Sequence, residues 1–139
     1  MTTIAATTTA TTTTPTGTTT RRVGTTLLVL VSAFLLFDAV IHTLNTQVVA
    51  EAMTALGYPA WTATFIGVLE LVGVALYLVP RTSVLGAVWL TAYLGGAFAS
   101  QLRIEAPVFS TALFPVYVGL LLWAGVLLRD PEVRRLVLR

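Results

Sequence analysis

The chain has no cysteine, no lysine, one histidine and very little charge of either sign. Without cysteine it forms no disulfide, carries no thiolate chemistry and holds neither an iron–sulfur cluster nor a cysteine-ligated metal. One histidine and two methionines, one of them the first residue, leave little for haem or zinc, and a bis-histidine haem within one chain is excluded. From this inventory we expect no metal site, no catalytic residue set and no catalytic activity of the chain on its own. Eight arginines against six acids are too few basic groups for a nucleic-acid binder. Charged residues make up 10% of the 139 residues, well under the ~25% of an ordinary soluble domain. Hydrophobic residues make up 56%, and mean hydropathy is +0.88. A domain this small leaves much of its surface exposed, so water is a poor solvent for it and a bilayer a good one.

What is there falls into a tail and four apolar stretches. Thirteen of the first twenty residues are threonine, with Pro15 and Gly17 among them, and residues 1–22 have no apolar face to bury; a disordered tail is expected. Basic residues come only at Arg21 and Arg22, which does not suit a cleaved signal peptide but does suit an uncleaved anchor. The apolar stretches cover residues 23–44, 61–79, 83–102 and 109–128. Each is near the ~20 residues needed to cross about 30 Å of hydrocarbon. Lipid offers no partners to the backbone, so each is expected to be a helix. The expected fold is all-α, a four-transmembrane-helix bundle over residues 23–128, followed by a basic cytoplasmic tail over residues 129–139. Pro115 is expected to kink the fourth helix.

Four spans put Arg21, Arg22, Arg81, Arg129, Arg134, Arg135 and Arg139 on one side and Arg103 alone on the other. The positive-inside rule then places both termini in the cytoplasm, N-in and C-in. Tyr58, Trp61 and Trp123 lie near span ends, as interfacial aromatics do. Between the first two spans, Val49, Met53 and Leu56 recur at helical spacing. They predict a short outer amphipathic helix, capped at Asn45 or Thr46, ended by Gly57 and Pro59, and packed on its own protein. The tail after Arg129 has the composition of a second short interfacial helix.

Charged groups within spans are costly and point to function by default. Asp38 sits roughly 9 Å from the outer end of the first helix, His42 is one turn further out on the same face, and Asn45 continues it. Glu70 lies about 13 Å along the second helix. Tyr93 and Arg103 share a stripe on the third helix with Trp89, Gly96 and Ser100. Arg103 is placed to turn inward and pair with Asp38 or Glu70, or to snorkel to the head groups. Two readings stand for these residues. They form an outward-facing pocket for a small molecule, a quinone head group or protons, or a polar network that ties helices together. Gly67 and Gly73 beside Glu70, and the small-residue run Gly95, Gly96, Ala97, Ala99 and Ser100, read as close helix packing, with a homodimer as a weaker implication.

Several stretches carry a family resemblance together. They are Leu56-Gly57-Tyr58-Pro59, Ile66-Gly67-Val68-Leu69-Glu70-Leu71-Val72-Gly73, Val79-Pro80-Arg81-Thr82, Tyr93-Leu94-Gly95-Gly96-Ala97 and Leu128-Arg129-Asp130-Pro131. In order and spacing the chain resembles the DoxX-like family over about residues 23–132. Gln101 stands where that family often has histidine, which removes one group from any histidine-based redox chemistry. The resemblance implies a multi-pass protein of the bacterial inner membrane. The founding member is similar to a subunit of a membrane thiosulfate–quinone oxidoreductase, and other relatives are linked to redox homeostasis. It therefore implies an accessory or small-molecule-binding subunit, with quinone as ligand and with the bilayer and other membrane or redox subunits as partners. The residues expected to line the pocket are Glu70, Asp38, His42, Arg103, Gln101 and Tyr93. The alternatives are a proton-coupled small-molecule transporter centred on Glu70 and a structural membrane interaction protein without its own ligand.

Overall fold

The computed structural model describes residues 16–137. Most of the threonine tail and Arg139 lie outside the described residues. Helix makes up 84% of the structure, and no strand occurs among the described residues, so the apolar stretches pair most of their backbone polar groups within the segment. The elements are α1 (Thr16–Thr43), α2 (Gln47–Ala55), α3 (Thr62–Leu78), α4 (Ser83–Arg103), α5 (Phe114–Arg129) and α6 (Pro131–Val137), with a π-helical turn at Val108–Ala112.

The first helix begins earlier than the apolar pattern indicates, at Thr16 and not near Val23. Once a helix is nucleated, each added residue gains a hydrogen bond for little further cost, so it runs on into polar sequence. Thr25 and Thr26 turn their hydroxyls back to the carbonyls of Arg21 and Arg22, which satisfies them without leaving the helix. At the other end Asn45 has φ +48°, the left-handed conformation that closes a helix. It thus ends α1 and does not cap α2; Thr46 precedes α2 and makes no side-chain cap bond.

Helix α2 buries Val49 and Met53, and together with Leu56 they pack against Ala63, Ile41 and Ile66. Gly57, at φ +71°, turns the chain after it. The apolar stretch over residues 109–128 is one helical segment that opens with a π-helical turn before its α-helical part. Ala112 and Leu113 donate to the carbonyls of Pro107 and Val108, five residues back, and α5 starts only at Phe114. Pro115 then occupies the first turn, where its missing N–H costs nothing. Asp130 accepts from the backbone N–H groups of Glu132 and Val133 at 2.9 and 3.2 Å and so starts α6 behind Pro131.

Helices α1, α3, α4 and α5 pack in a ring, with α1 and α4 each touching both α3 and α5. Leu35, Tyr77, Leu90 and Leu122 fill the centre. Two glycines set how closely the helices approach. A Cβ at Gly86 would overlap the Tyr77 backbone, joining α4 to α3, and one at Gly67 would overlap Thr43 and the Ala39 carbonyl, joining α3 to α1. The small-residue run on α4 behaves differently: nothing lies within 4 Å of a Cβ built at Gly95 or Gly96. Those two glycines are exposed and do not tighten the bundle: no neighbour lies against Gly95, and Gly96 faces the open space of a cavity between the helices.

The outside of the ring is apolar. Leu30, Phe37 and Leu120 are each 60% exposed or more. Three segments, Gly17–Thr43, Ser83–Arg103 and Val108–Arg129, are long and apolar enough to cross a membrane, while Thr62–Leu78 is shorter at 17 residues. Gly24 lies against Leu128 and Gly67 against Thr43, so the start of α1 and the end of α5 share one end of the ring, and the end of α1 and start of α3 share the other. Arg21, Arg22, Arg81, Arg129, Arg134 and Arg135 therefore gather at the terminal end, and Arg103 lies at the α2 end.

Candidate functional site

The centre of the ring is apolar except at one level. Glu70, midway along α3, is completely buried. One carboxylate oxygen, Oε2, accepts from the Tyr93 hydroxyl of α4 at 2.9 Å. The other, Oε1, is buried with no hydrogen-bond partner. A buried acceptor left unpaired costs on the order of 1–3 kcal/mol, so this is not the arrangement that stability alone selects. From α1, Asp38 and His42 reach the same level. The i,i+4 spacing stacks them on one face, with His42 Nδ1 3.4 Å from Asp38 Oδ2 and 2.9 Å from the Asp38 carbonyl oxygen. One donor atom each from Asp38, His42 and Glu70 lie within 4.8 Å of one another.

These groups face a cavity of about 390 Å³. Its walls come from α1 (Phe34, Leu35), α3 (Ile66), α4 (Ala97) and α5 (Pro115, Val118), and it extends to the α2 end at Met53, Leu56 and Tyr58. The polar groups on it are Asp38, His42, Glu70, Tyr93, Ser100 and Gln101, with the Tyr58 hydroxyl 2.7 Å from Ser100 Oγ. An apolar-walled chamber with a few converging polar groups is the usual form of a small-molecule site, and this volume lies at the small end of such sites. The match to known families covers the same elements. The DoxX-like family profile fits residues 26–125, from the body of α1 to most of α5. The chain belongs to the DoxX-like family. No curated protein and no solved structure matches it significantly. Family membership and the three long apolar helices together make it a small transmembrane protein.

In this DoxX-like chain, five of the six residues expected at the pocket lie on the cavity: Glu70, Asp38, His42, Gln101 and Tyr93. Arg103 does not. Its guanidinium donates to the Leu56 carbonyl and sits over the Tyr58 ring, 5.6 Å from the centroid. Of the two arrangements expected for Arg103, the ion pair to Asp38 or Glu70 does not form. The carbonyls that end α2 are nearer, and a cation–π contact holds the fork there. Among the described residues the carboxylates at this level meet one basic group, His42.

Phe34, Tyr58 and Ser100 line the cavity without having been assigned to it. Phe34 is one turn before Asp38 and Ser100 is on the Tyr93 stripe, so helical spacing carried that signal. Tyr58 lies in a loop, where spacing says nothing about direction. The network reading also has observations behind it: Tyr77 donates to the Leu122 carbonyl, Trp89 to the Leu69 carbonyl and Trp123 to Thr91 Oγ1, each at 2.9 Å. Each of these donors is satisfied across a helix pair, whereas Glu70 is only half satisfied.

Proposed function

We propose that this protein is a multi-pass protein of the bacterial inner membrane with four spans and both termini in the cytoplasm. In this reading it binds a small apolar molecule with a polar head group, a quinone, as an accessory subunit in membrane redox processes. The arginine-rich terminal end supports the orientation. The 17-residue α3 is at the short limit for a span, and its flanking Trp61 and Val79 extend its apolar length. The observation that carries the binding role is Glu70 Oε1, a wholly buried oxygen without a partner beside an apolar-walled cavity. A quinol hydroxyl would donate to Oε1, or a quinone carbonyl would accept from Glu70 in its protonated form, and the ring would lie against Phe34 and Val118. Relatives linked to redox homeostasis add a reason to choose quinone over other ligands of the same shape.

Titration of the purified protein with ubiquinone and menaquinone tests it. Saturable binding is expected, weakened about tenfold or more in Glu70→Gln and Tyr93→Phe, the equivalent of at least ~1.4 kcal/mol. Equal affinity in both variants would remove the residue assignment, and absence of binding would remove the quinone. In the structural alternative these same substitutions change thermal stability and nothing else.

A further inference from the structure

The convergence of Asp38, His42 and Glu70 has a more specific consequence than a polar pocket wall. Their donor atoms, within 4.8 Å of one another, come from two helices that Gly67 locks in close contact. Two are carboxylates and one is an imidazole, a mixed oxygen and nitrogen set of the kind first-row transition metals take. A carbonyl oxygen only accepts, so in the tautomer that hydrogen-bonds Nδ1 to the Asp38 carbonyl at 2.9 Å, Nε2 carries the lone pair and is the nitrogen a metal would take. Metal-bound histidines characteristically donate their other ring N–H to a carbonyl or carboxylate in this way. Tyr93 does the corresponding task for Glu70, holding Oε2 at 2.9 Å so that Oε1 is directed by the same bond.

Charge and hydrogen bonding agree. Glu70 is wholly buried and Oε1 has no partner. Arg103, the one arginine at this end among the described residues, is engaged by Leu56 and Tyr58. A divalent ion would neutralise two carboxylates in a low-dielectric setting where no arginine among the described residues reaches them, and would pair the orphan oxygen. Three protein ligands leave coordination positions open toward the cavity, as in sites that also bind a small molecule.

Against the expectation of no metal site drawn from the residue inventory, we propose that Asp38, His42 and Glu70 form a binding site for a single divalent first-row transition-metal ion, held between α1 and α3 and open to the cavity. The site does not depend on the quinone reading, since metal binding is measured without quinone. The full-length protein in detergent, treated with chelator and freed of quinone, is titrated with Zn²⁺ and Mn²⁺ by calorimetry and with Co²⁺ by its visible absorption. One ion per chain is expected. Partners outside the ligand shell typically carry 10–100-fold in affinity, so Tyr93→Phe is expected to weaken binding about tenfold and loss of a ligand about 100-fold or more. Arg103→Gln is expected to bind as the unsubstituted protein does. His42→Ala and Asp38→Asn remove partly exposed groups, so they decide the question even if Glu70→Gln does not fold. No stoichiometric binding, or binding retained in both of those variants as an adventitious ion at Glu51 or Glu105 would be, overturns the site. Metal binding without quinone binding leaves this site standing and removes the quinone; quinone binding in chelator-treated protein without metal binding does the reverse.

Discussion

The Tyr93–Glu70 pair shows what a single hydrogen bond does in this protein. Tyr93→Phe strands the second carboxylate oxygen, and Glu70→Leu strands the Tyr93 hydroxyl. The double variant strands neither. Interhelical hydrogen bonds in membrane proteins average about 0.6 kcal/mol and reach about 1.7. Each single variant is therefore expected to lower the thermal unfolding midpoint in detergent, and the double variant to be more stable than either. A coupling energy near 1 kcal/mol in the cycle is the expected result, and strict additivity would show that the bond contributes nothing. Tyr77→Phe is the simpler case: it leaves the Leu122 carbonyl with its own helical partner, and a loss of ~1 kcal/mol is expected. Helical spacing in the sequence already put Asp38 and His42 on one face. It did not show that Arg103 is held by Leu56 and Tyr58, because that depends on where the α2–α3 loop lies.

At the scale of elements, close approach and not apolar burial holds the helices together, since lipid tails are as apolar as leucine. The glycines then divide into two kinds, which substitution separates. Gly86→Ala places a Cβ into the Tyr77 backbone, which cannot yield as a flexible side chain would, and loss of the folded bundle is expected. Gly95→Ala meets nothing within 4 Å and replaces a poor helix former by the best, so it is expected to be neutral or to stabilise by up to about 1 kcal/mol. Thermal unfolding of the two purified variants checks both. In sequence the Gly95-Gly96 pair looks the more convincing packing motif and Gly86 passes unremarked. Composition marks where small residues cluster, but only the neighbours decide which of them is pressed against a backbone. Pro115 gives the same lesson: proline in an apolar run is equally a kink inside a helix or the first turn of one, and the π turn before it settles which.

At the scale of the molecule, the distribution of arginine predicts a sidedness that the absence of cysteine makes easy to measure. A cysteine placed at the exposed positions Glu51 or Arg134 is the sole thiol in the chain. In intact cells an impermeant maleimide is expected to label Glu51→Cys and to spare Arg134→Cys until the membrane is opened. Labelling of both from outside would overturn the common cytoplasmic placement of the termini.

The amino-acid sequence by itself determined the solvent, the helical class and the family of this protein. Hydrophobicity is additive along a chain, lipid leaves the backbone no other way to pair, and the family motifs are local strings. The clustering of arginine around the turns and termini is linear in the same sense. Only the tertiary structure decided which polar groups meet. Asp38 and Glu70 are 32 positions apart and join because two helices approach at Gly67. The same packing leaves one oxygen of Glu70 unpaired beside a cavity, a property of the space between helices that no stretch of residues contains.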